Sequence, residues 1–347
     1  MKYEIEMLMD LVRIPGISGF EDAVRTYVLD HIPTEFSTAV DPMGNVIATI
    51  GSGTPRLLFM AHMDEIGFLT TGITTDGYIR FQKIGTIDDA ILPGTAVVVH
   101  GINGPHNGVI GVRPPHLGGA SSMTAEQFVI DLGLRSAEEV NAAGIDLLQQ
   151  VTFFREPRLM GAHRLNCRTV DDRFGCYSLL QVAEQIARQQ HSATVQLVWS
   201  VQEEVGLRGA AALSNTLSYD FAFPVDAYAT SESREVASRY VYAEQGAGPV
   251  LRLFDHGSIG SSQLAKWLLK LAEENNIAIQ IGATGGETDG VRLQEAGVHM
   301  VPIAAAMRNL HSLAETVDLR DVAGVIDLIL SVIANTADIS HLLTQGT

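Results

Sequence analysis

The stretch Val195–Ala210, VQLVWSVQEEVGLRGA, constrains this chain most: an apolar run ends on two adjacent carboxylates, Glu203 and Glu204, followed by a glycine-bearing turn. An apolar segment closed by turn chemistry reads as a buried strand of a parallel sheet, and ligands of open α/β sheets gather beyond the carboxyl ends of such strands. Carboxylates side by side at the edge of a core repel unless a cation or a shared proton compensates them. The pair points either to a metal or acid/base site, or to one glutamate capping the next helix while the other faces water.

The same punctuation recurs. Arg56–Ala61 is a short apolar strand ending on His62-Met63-Asp64-Glu65. A histidine there can bind a metal through one ring nitrogen while a carboxylate accepts the N–H of the other; taken alone, a hydrogen-bonded structural histidine explains it more simply. Tyr219–Ala229 carries Asp226 inside an apolar run, where a carboxylate is costly without a partner. Residues 298–306 read as the last core strand, and His311 follows it as His62 follows its own. Asp171 and Asp172 precede a helix with Phe174, Leu179, Val182, Ala183 and Ile186 at helical intervals, although acidic residues at a helix start also serve as caps. The loop GATGGETDGVRL puts Thr288 and Asp289 at another helix start and matches no nucleotide-binding fingerprint.

From about residue 67 to 160 the texture changes to short, Gly-bounded, Val/Ile-rich segments, the pattern of antiparallel strands in a small barrel or sandwich. One helix is expected between Thr124 and Ala143, and His100, His106 and His116 read as surface or loop histidines. The expected architecture is an α/β fold, a mainly parallel sheet with helices on both faces, interrupted by a small β-rich, barrel-like domain. Residues 1–66 plus 160–347 form the main domain and 67–159 the insertion. Helices are expected over residues 3–13, from a Ser18/Glu21 capping box to Leu29, and over 318–335.

At 347 residues the chain can bury a large core, and 46% hydrophobic against 18% charged residues excludes disorder. A net charge of -17 argues against nucleic-acid binding. Two cysteines, Cys167 and Cys176, are too few for a disulfide framework. With neither a secretory signal pattern nor a membrane-length apolar run, a cytoplasmic protein without a membrane partner is expected.

His62, Asp171, Glu203, Glu204, Asp226 and His311 thus share one predicted rim. Two imidazoles with three or four carboxylates suit zinc, cobalt or manganese, and the number of carboxylates favours two ions sharing one of them. Two ions about 3.5 to 4 Å apart activate a water and polarise a carbonyl, and one glutamate of the pair is then free to act as general base.

AHMDEIGF, VDDRFG, VQEEVGLRGA, the strand Asp226 and His311-Ser312 resemble, in order and spacing, the cytosolic co-catalytic metallo-aminopeptidases that include bacterial glutamyl aminopeptidase and archaeal tetrahedral aminopeptidases. The likeness spans nearly the whole chain; some family members carry the label endoglucanase or cellulase. The resemblance implies two divalent ions, zinc first, held by His62, Asp171 as the bridge, Glu204, Asp226 and His311. It implies Glu203 as the general base, Asp64 as the carboxylate orienting His62, and Asp172 as no ligand. It further implies peptide substrates cleaved at the N-terminal residue, and homo-oligomers from dimers to dodecamers supported by the insertion. The chain departs from the family pattern at Glu287 within Gly-Gly-Glu-Thr-Asp, at PVDAYAT around Asp226, and at Asn309-Leu310 before His311. A two-metal amidase or deacylase acting on N-acyl amino acids is the alternative.

Overall fold

The computed structural model describes residues 3–119, 123–231, 240–339 and 341. Its strands are β1 (Ser37–Val40), β2 (Val46–Ile50), β3 (Arg56–His62), β4 (Gly67–Ile73), β5 (Ile79–Ile84), β6 (Ala96–Gly101), β7 (Gly104–Ile110), β8 (Ile130–Asp131), β9 (Gln150–Phe153), β10 (Arg158–Met160), β11 (Arg164–Cys167), β12 (Thr194–Ser200), β13 (Phe221–Ala229), β14 (Val250–Phe254), β15 (Gln280–Ala283), β16 (His299–Met300), β17 (Ile303–Arg308) and β18 (Glu315–Asp318). The helices are α1 (Glu6–Leu11), α2 (Asp22–His31), α3 (Ala137–Ala142), α4 (Val170–Ile186), α5 (Arg208–Leu213), α6 (Ser262–Glu274), α7 (Gly290–Glu295), α8 (Leu319–Ala334) and α9 (Thr336–Ile339).

One sheet runs β1-β2-β12-β3-β13-β17-β18-β11-β10. Its centre, β12, β3, β13 and β17, is parallel, and antiparallel strands flank it on both sides. Apolar residues fill consecutive positions of β3 because both faces are covered: Leu57, Phe59 and Ala61 join one core cluster with α4 and α8, whereas Leu58 and Met60 join another with Ala210 of α5 and Leu293 of α7. Phe59 and Phe223 stack across β3 and β13 with centroids 5.0 Å apart. The second sheet is a closed barrel, β4-β5-β8-β7-β6-β9, with its own core around Phe68, Phe81 and Phe153. No helix among the described residues is long and apolar enough to cross a membrane.

Three expectations need correction. The first helix is shorter than 3–13, ending at Leu11. The α-helix expected between Thr124 and Ala143 is α3, preceded by a short 3-10 turn and β8, and Ser136 caps it through the Glu139 N–H. The Ser18/Glu21 capping box does not form: α2 has no side-chain cap, and both residues bond elsewhere. Residues 298–306 are not one strand, because Pro302, lacking an N–H, separates β16 from β17, and β18 follows. Cys167 and Cys176 are free and buried.

Candidate metal centre

The parallel strands β3, β12, β13 and β17 bring their carboxyl ends to one rim. His62 is the last residue of β3, Glu203 and Glu204 lie just beyond β12, Asp226 sits within β13, and His311 follows β17. Asp171 enters from the start of α4. Its own backbone and that of Asp172 are non-helical, with ψ of 113° and 40°, so the two side chains leave the helix in different directions. Asp172 turns inward, accepting from the His62 N–H at 3.3 Å and the Gly175 N–H at 3.1 Å.

Asp171 stands between the histidines. Its Oδ1 lies 3.3 Å from His62 Nε2 and its Oδ2 3.6 Å from His311 Nε2, while His311 Nε2 is also 3.5 Å from Glu204 Oε2. Two triads, His62–Asp171–Asp226 and Asp171–Glu204–His311, each bring ligand atoms within 4.8 Å of one another and share Asp171. His62, Glu203 and Glu204 also approach this closely. The ring orientations follow from simple acceptors. His62 Nδ1 lies 3.1 Å from the carbonyl of Asp64, and His311 Nδ1 lies 3.0 Å from the carbonyl of Thr86. A carbonyl only accepts, so each Nδ1 carries a hydrogen and each Nε2 is the nitrogen that faces Asp171. The Asp64 carboxylate is farther from His62, at 3.6 Å, and serves the other flank instead. It accepts from the N–H groups of Glu203 at 2.9 Å and Glu204 at 3.2 Å, and from Ser18 Oγ at 2.6 Å.

The buried carboxylates crowd one another and need compensation by protons or cations. Burial raises the pKa of Glu203 well above the carboxylate range, against His62 but with the charges of Asp226, Glu204 and Asp289. Burial and then Asp171 push Asp226 up to about 8, and burial, opposed by His311, leaves Glu204 at about 7. Burial works against the protonated form of His311, yet Glu204 and Asp171 lift it to about 10. Asp171 is held low: burial opposes this, and the facing His311 and His62 rings outweigh it. Among the described residues, Asp171 Oδ1 has no hydrogen-bond partner although it is buried. A bound cation would supply what this oxygen lacks. Donors of a tetrahedral ion held at about 2.0 to 2.1 Å stand about 3.4 Å apart, close to the separations around Asp171. The donor set fits divalent metal.

The surrounding wall forms a cavity of about 340 Å³ that includes Leu207, Ala227, Arg252, Gly285, Glu287 and Leu310. The barrel reaches this site: Thr86 supplies the carbonyl on His311, and at Gly85, φ +78°, a Cβ would stand 2.6 Å from the Ile66 side chain and 3.4 Å from Glu204 Oε2. His100 and His106 instead bond Thr152 and the Ala143 carbonyl, within the barrel.

Sequence reasoning missed three supports. Glu315 accepts the N–H groups of both Asp171 and His311. Ser200 donates to Asp289, which begins α7 without capping it. Buried Glu65 pairs with Arg168, and its Oε1 accepts the Gly16 N–H at 3.0 Å. All three depend on contacts far apart in sequence.

The model of the family described as M42 glutamyl aminopeptidase matches residues 44–328. A lysyl aminopeptidase of Pyrococcus furiosus is 29% identical over 93% of this chain and 94% of its own length. Among solved structures, the TET1 peptidase of Pyrococcus horikoshii, described as assembling into a tetrahedron or a large octahedral shell, is 37% identical, covering 95% of this chain and 98% of its own, with a TM-score of 0.88. A structure from Thermotoga maritima described as an endoglucanase is 27% identical, covering 96% and 98%, with a TM-score of 0.79. The expected fold and family both hold, and the chain belongs to the M42 glutamyl aminopeptidase family, as a metal-dependent hydrolase that removes residues from the N-terminus of peptides.

Proposed function

We propose that the enzyme works with two divalent ions per subunit, zinc first and cobalt or manganese as substitutes. One would be held by His62, Asp171 and Asp226, the other by Asp171, Glu204 and His311. The observation that carries this reading is Asp171, whose two oxygens face two different histidines at 3.3 and 3.6 Å. Bound there, such ions supply Lewis acidity, making a water acidic and polarising the scissile carbonyl.

The chain's own residues do the rest. Glu203 is the general base: its carboxylate takes a proton from the attacking water and gives it to the leaving amine as the C–N bond breaks. Asp64 fixes Glu203 and Glu204 through their main-chain N–H groups. His62 and His311 keep fixed tautomers through the carbonyls of Asp64 and Thr86. The first side chain of the peptide enters the cavity beside Leu207, Ala227 and Gly285.

The catalytic unit is assigned to residues 1–66 plus 160–347, and 67–159 to oligomerisation in a cytoplasmic assembly. Support for assembly comes from the Pyrococcus horikoshii relative and from exposed apolar residues of the insertion such as Leu117 and Val112. The test pairs metal analysis with matched substrates. Aminoacyl-p-nitroanilides should be cleaved only by metal-loaded enzyme, and their N-acetylated counterparts should not; faster turnover of the acylated set would favour a deacylase.

A further inference from the structure

Glu315 opens β18 with its side chain all but closed to solvent, 1% exposed. Its oxygens serve two separate segments: Oε2 accepts the N–H of Asp171 at 3.0 Å and Oε1 the N–H of His311 at 3.1 Å. The two proposed cation sites do not depend on such help equally. His62 ends β3 opposite Ser200 of β12, and Asp226 lies within β13 opposite Ala304 of β17, so a sheet ladder fixes each backbone. His311 sits in a loop, with φ +57°, two residues after Asn309 at φ +56°. Residues bearing a Cβ hold that left-handed conformation only where neighbouring bonds enforce it. Within the loop, Ser312 Oγ bonds the Asn309 carbonyl at 2.6 Å and Asn309 Nδ2 the Ala314 carbonyl at 3.2 Å. Neither reaches the His311 main chain; Glu315 does.

We propose that Glu315 is a positioning residue of the metal centre: it clamps the N–H groups of Asp171, shared by both proposed sites, and of His311, which no sheet ladder holds, so that the Asp171–Glu204–His311 site depends on both clamps and the His62–Asp171–Asp226 site on one. The inference rests on the two-ion reading above. Glu315→Gln preserves size, but an amide offers one acceptor and turns its NH₂ toward the second N–H, so one clamp opens. Loss of a group that orients metal ligands lowers affinity about 10- to 100-fold.

The test is a Zn²⁺ titration of the full-length enzyme after chelator treatment, by calorimetry with atomic-emission stoichiometry, alongside thermal unfolding of the metal-free proteins. The parent should take up two ions. Glu315→Gln should weaken the Asp171–Glu204–His311 site, the one that His311→Ala loses, about 10- to 100-fold and the His62–Asp171–Asp226 site by less. Should the Gln variant not fold, Glu315→Asp, which keeps the charge but is too short to span both N–H groups, should show the same unequal loss. Parent-like binding at both sites, or equal weakening of both, overturns the proposal while the two-ion reading stands. A parent that takes up fewer than two ions overturns that reading, and the proposal falls with it.

Discussion

Replacing Asp64 by Asn tests how the base is positioned without replacing a proposed ligand. The Asp64 carboxylate receives three hydrogen bonds, from Glu203 N–H at 2.9 Å, Glu204 N–H at 3.2 Å and Ser18 Oγ at 2.6 Å. Asparagine has nearly the same shape but one acceptor oxygen. If that oxygen stays on Glu203, the NH₂ can donate to Ser18 Oγ, whose hydroxyl can reverse, but it opposes the Glu204 N–H. If the amide turns over, the Glu203 N–H loses its acceptor instead. Either way at least one bond to a charged acceptor is lost at a fully buried site, which costs about 1.5–3 kcal/mol. At 1.36 kcal/mol per tenfold, kcat/KM should fall about 10- to 100-fold. The assay is steady-state hydrolysis of an aminoacyl-p-nitroanilide, with bound metal and thermal unfolding measured on the same preparation. Parent-like kcat/KM in a folded, metal-loaded Asp64→Asn enzyme would refute the positioning argument.

Other expectations concern the ligands and the framework. Glu204→Ala and His311→Ala should each lower bound metal to about one ion per subunit, read by atomic emission; unchanged stoichiometry counts against the assignment. Arg168→Leu leaves Glu65 buried without its main partner and should cost about 3–5 kcal/mol in urea unfolding, where a loss below ~1 kcal/mol would show that the pair is not structural. Phe223→Ala opens a cavity against Phe59 in the sheet core and should cost about 3–5 kcal/mol; the check is the shift in denaturation midpoint, and a negligible shift contradicts the packing described.

The rim was legible in the sequence because burial leaves a plain mark. His62 and the Glu203/Glu204 pair each admit a structural explanation alone, but their recurrence at the ends of apolar runs, with Asp226 inside β13, marks one rim. The parallel centre of the sheet showed itself as continuous apolar strands, and the barrel as short Gly-bounded ones. What stayed hidden depends on long-range bonds. Ser18 and Glu21 have the spacing of a capping box, yet Ser18 donates to Asp64 and Glu21 accepts the Gln202 N–H at 3.1 Å, tying the N-terminal segment to the site. A local pattern carries no information about a partner 46 or 181 residues away. Strand β18 was missed for a related reason: four residues packed between β11 and β17 show no clear period.

The central claim is a division of labour between neighbours, with Glu204 holding metal and Glu203 moving the proton. Glu203→Gln tests it directly, since the amide keeps the shape and removes the basic oxygen. Metal content and kcat should be measured on one preparation of parent and variant. The account predicts two ions per subunit in both, with kcat in the variant lower by about 10²- to 10⁴-fold. A variant that keeps its metal and turns over at the parent rate contradicts the account.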